Sequence, residues 1–198
     1  MVTHGRSGLG RWVLGSVTDK ILHGASNPLL ITCAQPDDSV SSTISLKNII
    51  VPLDGSPLAD KVLSHVEALA PALELNVILV RVTASSDEYY KYIDMSMGAG
   101  VNTDRFEQYA KEAEVEAAAY LQKVKSRLND KGITSVEERL ISGSAASAVL
   151  DLAQETPDCL VAMTTHGRSG VERWVLGSVT DRLVRHSGQP VLVVRTDD

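Results

Sequence analysis

The first 33 residues of this chain recur near its other end, and that repetition limits what the chain can be. Residues 1–33 lie on residues 163–195 at a constant offset of 162 without a gap, and 18 of the 33 positions are identical. An offset of that size is about one domain plus a linker. The opening segment, MVTHGRSGLGRWVLGSVTDKILHGASNPLLITC, therefore reads as the tail of a preceding copy, and only one complete unit follows it. Length agrees, because 198 residues exceed a typical domain of roughly 150 by about a quarter of the chain.

Apolar residues at 43% and charged residues at 22% give a chain able to bury a core, which argues against disorder throughout. A count of 19 Lys+Arg against 25 Asp+Glu leaves a net charge of -6, which disfavours nucleic acid and anionic membrane surfaces as partners. The two cysteines, Cys33 and Cys159, each sit in an apolar run and read as reduced, buried thiols. No basic leader precedes an apolar stretch, and no window reaches the roughly 18 apolar residues of a membrane span. A cytoplasmic protein is expected.

Three parts follow: a C-terminal fragment of a preceding repeat at 1–33, a linker at 34–45 and a complete domain at 46–198. The polar run AQPDDSVSSTISLK, rich in Ser and Asp, has no periodicity. Strands are expected at Asn48 to Leu53, Val77 to Val82, Val136 to Ile141, Cys159 to Met163 and Val191 to Arg195. Helices are expected after Ser56, over Arg105 to Leu128, over Ala145 to Gln154 and over Ser178 to Arg185. Ser56 is read as the cap of the first helix, with Pro57 at its first position. Tyr109, Ala113, Ala117, Tyr120 and Val124 form the apolar side of the long helix. The order βαβαβαβαβ implies an α/β fold, an open five-stranded parallel sheet with helices on both faces, preceded by a helix-strand fragment of a second copy.

Ligands in such sheets bind beyond the carboxyl ends of the strands. The exits are Pro52-Leu53-Asp54-Gly55-Ser56, Arg81-Val82 and Met163-Thr164-Thr165-His166-Gly167-Arg168-Ser169-Gly170, the last leading to Gly177-Ser178-Val179 where a helix begins. Glycines at 167, 170 and 177, a helix N-terminus and Arg168 suit a polyphosphate. An ordinary glycine-rich turn fits the spacing equally well. Neither GxxxxGK[ST] nor a GxGxxG after a strand is present. Each residue also has a plainer reading: Asp54 as a turn former, Ser178 as a helix cap, Arg168 as a solvated charge, His166 as a packed loop residue without catalysis. Tyr89, Tyr90 and Tyr92 belong to a surface loop spanning 85–104, and Trp12 and Trp174 recur in the two copies.

Thr164-xx-Gly167, nine residues, then Gly177-Ser178 resembles the G-2x-G-9x-G-(S/T) signature of the ATP-binding branch of the universal stress protein family. Residues 46 to 196 match that family end to end, VPLDGS and PVLVV included, within the wider adenine nucleotide alpha hydrolase-like architecture. The resemblance implies that Asp54 and the backbone of Val82 hold adenine, with Pro52 and Leu53 lining its pocket. Met163, Thr164, Gly167 and Arg168 would approach ribose and phosphates, and Gly177, Ser178 and Val179 would receive the terminal phosphates. Thr164 departs from the signature's first glycine, and its branched side chain narrows the room for close backbone approach.

The function this implies is a nucleotide-responsive stress or regulatory protein binding ATP, with magnesium, and hydrolysing it slowly or not at all. LDGSPLAD stands where adenylating relatives of the architecture carry SGGxDS, and no carboxylate and lysine set stands by the phosphate loop. The alternatives are a non-nucleotide dimerisation module of the same fold and a slow ATPase. The resemblance also implies a homodimer through the last strand. Leu29 to Thr32 of the fragment is a candidate to pair antiparallel with Val191 to Val194 and cover that edge; a disordered fragment, or one exchanged with a neighbouring chain, are the alternatives.

Overall fold

A computed structural model of the chain describes residues 2–3, 21, 27–33, 45–85, 103–165 and 177–195. Along the sequence come β1 (Val2–Thr3), β2 (Leu29–Cys33), β3 (Asn48–Pro52), a 3-10 helix (Ala59–Val62) running into α1 (Leu63–Ala72), and β4 (Asn76–Thr83). Then follow α2 (Thr103–Asp130), β5 (Val136–Ser142), α3 (Ala145–Glu155), β6 (Cys159–Thr164), α4 (Ser178–His186) and β7 (Val191–Val194). One sheet holds all the strands in the order β1-β2-β7-β6-β3-β4-β5.

The expected five-stranded parallel sheet is its main part, since β3 pairs in parallel with both β4 and β6, β4 with β5, and β6 with β7. Contiguous apolar residues become central strands because both faces are covered. Ile49, Ile50 and Val51 of β3 are wholly buried. Ile49 and Val51 face α1 and α2 in a cluster with Val62, Leu63, Val66, Leu121, Val124 and Leu128. Ile50 faces α3 and α4 in a second cluster with Val149, Leu150, Ala153, Leu183 and Val184. Alternation along one strand thus feeds two cores.

Three expectations need correction. The first helix does not start at Pro57: residues 57–58 form a turn, and the 3-10 helix begins at Ala59. Leu58 takes the N-cap position without a side-chain cap, while Ser56 Oγ still accepts the Ala59 N–H at 3.1 Å from within the turn. Tyr109 is exposed, whereas the expected Ala117 and Val124 are buried and are joined by Leu121 and Leu128 in a stripe spaced by four, three and four. The fragment supplies a strand that two residues of sequence could not announce, since β1 lies parallel to β2 with Val2 opposite Thr32. Of its expected helix only Ile21 is among the described residues, and it is helical.

β2 runs antiparallel to β7, with Leu30 opposite Leu192. The outer edge of β7, expected to meet a second copy, is therefore filled by the chain itself. The expected linker, the loop at 86–102, the glycine-rich loop from 166 to 176, and with them Trp12, Trp174 and the three loop tyrosines, lie outside the described residues.

Cys159 starts β6 with no exposure, and its thiol donates to the Ala153 carbonyl at 3.5 Å. Burial pushes it from 9.0 up to about 11, and the nearby Asp158 carboxylate acts in the same direction. The folded chain therefore holds its proton more tightly than the unfolded one. Its contribution to stability is complete below pH 9 and is lost between about pH 9 and 11. Urea unfolding across that window should show the wild-type chain losing stability more steeply than Cys159→Ala; parallel curves would contradict this.

Candidate functional site

The site follows from topology. β3 lies between β4 and β6, and the helix after β3 packs on the opposite face of the sheet from the helix after β6. Connections that diverge in this way leave a crevice at the carboxyl ends of the strands. It has a volume of about 490 Å³, within the range of small-molecule sites.

Four separate stretches bring the sequence-predicted residues to it. Pro52, Leu53 and Asp54 come from the exit of β3, Val82 from β4, Met163 and Thr164 from β6, and Gly177, Ser178 and Val179 from the start of α4. Gly167 and Arg168 lie outside the described residues, as does His166.

Local bonds explain how each stretch is held. Leu53 N–H donates to the Val80 carbonyl at 2.8 Å, extending the pairing of β3 with β4 past the strand end. Asp54 turns the chain immediately afterwards, because its Oδ1 accepts the Ser56 N–H at 2.8 Å. The turn-former reading of Asp54 therefore holds alongside its place on the crevice wall. On the other side, Thr180 Oγ1 donates to the Thr164 carbonyl at 3.0 Å, and Gly177 N–H donates to the Thr165 carbonyl at 2.9 Å. The start of α4 is pinned to the exit of β6.

That pinning changes the expected role of Gly177. Its N–H is committed to the fold, and Gly177 is the N-cap, with no side chain capping the helix. Ser178, expected as a possible cap, is the first helical residue. The first N–H groups of a helix have no intrahelical acceptor. Those of Ser178 and Val179 stand at the crevice with the positive end of the helix dipole behind them.

Sequence reasoning named Arg81 only as part of a strand exit and left out Thr83, the two polar residues of the opposite wall that β4 supplies. Arg81 of β4 has a side chain only 7% exposed, and its charge partner Glu116 sits 3.6 Å away and is 75% exposed. Its guanidinium also lies 5.0 Å from the centre of the Tyr120 ring, a cation–π distance. Tyr120 donates in turn to Asp60. Burial, that bond and the Asp60 charge together raise the Tyr120 pKa, while Arg81 pulls it the other way. The phenol, its carboxylate partner and the cation thus share one corner. Thr83, also lining the crevice, has a buried hydroxyl without a partner, and it is the only such side-chain atom among the described residues. Both residues carried a signal: a charge and a hydroxyl inside an otherwise apolar central strand must face something polar.

The sequence profile of the universal stress protein family matches residues 1–32 and 45–195. A universal stress protein of Methanocaldococcus jannaschii is 28% identical over 158 residues, covering 77% of this chain and 97% of the relative. Among solved structures, the universal stress protein UspA from Lactobacillus plantarum superposes with a TM-score of 0.64 at 19% identity, over 75% of this chain and 97% of its own. A universal stress protein in complex with cAMP superposes with a TM-score of 0.54 at 22% identity, over 77% and 99%. The fold is that of an α/β sheet with a crevice at its switch point, and the chain belongs to the universal stress protein family.

Gly55 tests the packing of the Arg81 wall. Its φ is +81°, and a Cβ there would stand 2.1 Å from Arg81 Nη1. Gly55→Ala should cost about 1–3 kcal/mol from backbone strain alone, more with the displaced guanidinium, read as a lower urea midpoint. Adding Arg81→Ala should recover the clash and leave the strain; no recovery would mean that the two residues are not in contact.

Proposed function

We infer that this chain binds ATP across the crevice and serves as a nucleotide-responsive stress or regulatory protein in the cytoplasm. One observation carries the reading: nine residues singled out in the sequence, from four distant stretches, line a single crevice at the switch point of the sheet. Adenine is taken to lie by Asp54 and the Val82 backbone, between Pro52 and Leu53. The phosphates are taken to run past Met163 and Thr164 to the N–H groups of Ser178 and Val179, with Gly167 and Arg168 from the glycine-rich loop. The orphaned Thr83 hydroxyl supports a polar ligand, because a buried hydroxyl gains a bond when one arrives. That a related fold is known in complex with cAMP supports an adenine nucleotide as the ligand class.

Magnesium in this reading arrives with the triphosphate. Among the described residues no group of three or more His, Cys, Asp or Glu gathers, and Mg²⁺ commonly keeps water and phosphate oxygens as ligands. Little hydrolysis follows from the described lining. Its carboxylates are Asp54, engaged in a turn, and Glu116, paired with Arg81, and it contains no lysine. Neither acid belongs to the β6–α4 end, where a water would have to be oriented toward a terminal phosphate. ATP then acts as a ligand that stabilises one conformer.

At a nucleotide concentration a hundred times Kd, binding stabilises the fold by about 2.7 kcal/mol, a rise in Tm of about 5–10 °C for a chain of this size. Differential scanning with ATP and magnesium should show that rise, and Asp54→Ala should remove most of it. No shift at millimolar ATP would overturn the reading, while a shift with cAMP alone would redirect it to cyclic nucleotides.

A further inference from the structure

The crevice straddles the crest of the sheet, and the residues assigned to ATP leave half of it without a role. Side chains of a strand alternate between the two faces. Leu79 of β4 belongs to the cluster under α1 and α2, and Val80 to the cluster under α3 and α4. Arg81 and Thr83 therefore point with Leu79 toward α2, and Val82 points the other way. Ala113 and Glu116 of α2 complete a chamber on that side, while Val149 and Met163 border the half that faces α3 and α4.

Both polar residues that β4 sends into the α2 chamber are nine-tenths buried and short of partners. The Arg81 side chain is 7% exposed, and Thr83 is 9% exposed with a hydroxyl that has no hydrogen-bond partner among the described residues. The guanidinium has the Tyr120 ring at 5.0 Å and the exposed Glu116 carboxylate at 3.6 Å, and the latter distance is too long for a hydrogen bond. Arginine carries five N–H donors, so donors remain for a ligand. The fold alone does not call for either residue. Residues 77–80 of the same strand are Val, Ile, Leu and Val, and a valine at 83 would keep threonine's branched shape without a buried hydroxyl that costs stability when it has no bond.

Charge decides which end of a nucleotide turns this way. Asp54 and Glu116 stand beside Arg81 on this side of the crevice, two carboxylates to one guanidinium, and the opposite wall is the N-terminus of α4. Phosphate is repelled by the first and drawn to the second. The base, held at the crest by Asp54 and the Val82 main chain in the ATP reading, then turns an edge into the α2 chamber. A main-chain N–H and C=O suffice for one edge of adenine, N1 with one hydrogen of the amino group. The other edge presents N7, an acceptor, beside the second amino hydrogen, a donor. Arg81 and Thr83 are its complement, since a guanidinium only donates and a hydroxyl oxygen can accept.

We propose, given ATP in the crevice, that Arg81 and Thr83 read the N7 edge of the adenine: Arg81 donates to N7 and Thr83 Oγ1 accepts from N6–H. The two side chains are thus specificity residues that touch the base, and the unpaired state of the Thr83 hydroxyl is the free form of a bond that the ligand completes.

Isothermal titration calorimetry of the full chain reads each bond singly with ATP, with purine riboside triphosphate, which lacks the amino group, and with 7-deaza-ATP, which has C–H in place of N7. The wild-type chain should bind each analogue about fivefold or more weaker than ATP. Thr83→Val should weaken ATP to the level of purine riboside triphosphate and leave the affinity for that analogue unchanged. Arg81→Met, which keeps the aliphatic stem, should do the same for ATP and 7-deaza-ATP. Without ligand, Thr83→Val should melt at or above the wild-type Tm, because the hydroxyl it removes has no bond to lose. Should Arg81→Met fail to fold, Thr83→Val decides. Equal wild-type affinities for the three triphosphates, a Thr83→Val chain that weakens ATP and purine riboside triphosphate alike, or a lowered Tm in that variant would overturn the proposal and leave ATP binding standing. A wild-type chain that binds none of the three overturns the ATP reading itself, and the proposal with it.

Discussion

Everything at the ligand end of this molecule depends on β3 being a central strand with neighbours on both sides whose connections diverge. Because β4 follows it on one side and β6 joins it on the other, the chain leaves β3 toward one face and leaves β6 toward the opposite face. No side chain has to be excavated to make room. The gap between the two departures is the crevice, and the parallel register of β3 with both neighbours fixes which residues border it. Wholly buried Ile49, Ile50 and Val51 hold that arrangement, since slipping β3 by one residue would exchange its two faces.

The crevice has two chemically different walls. The α4 side offers main-chain N–H groups and a helix dipole, held in place by the bonds from Thr180 and Gly177 to the carbonyls at the end of β6. The β4 side carries a buried guanidinium, whose desolvation is offset by aromatic contact and by an exposed carboxylate at marginal distance. An exposed partner is screened by solvent and contributes little. The Asp60–Tyr120 bond supports the ring beneath the cation, so the polar corner extends from the 3-10 helix to α2.

Much of the fold was legible because the physics was local. Contiguous β-branched runs announced strands, and glycine and proline marked their ends, so the five parallel strands fall within about two residues of expectation. Long-range bonding was not legible. Whether Pro57 begins a helix or a turn depends on how the segment settles between β3 and α1. That Gly177 spends its N–H on Thr165 requires knowing where two strand ends lie. The exposure of Tyr109 shows a helix extending past its core. The crevice residues themselves came from a family resemblance, whereas Arg81 and Thr83, the lone charge and a late hydroxyl in an apolar strand, were visible without one and were passed over.

Strand β2 also imposes an order on folding. Its partner β7 lies about 160 residues further along the chain, so their pairing closes the longest loop in the molecule and gains nothing until the intervening sheet is in place. The first structured stretch of sequence must wait for the last one. During that interval β2 and the edge of β7 are not yet paired with one another, and unpaired strand edges on chains at high local density pair between chains as well as within one.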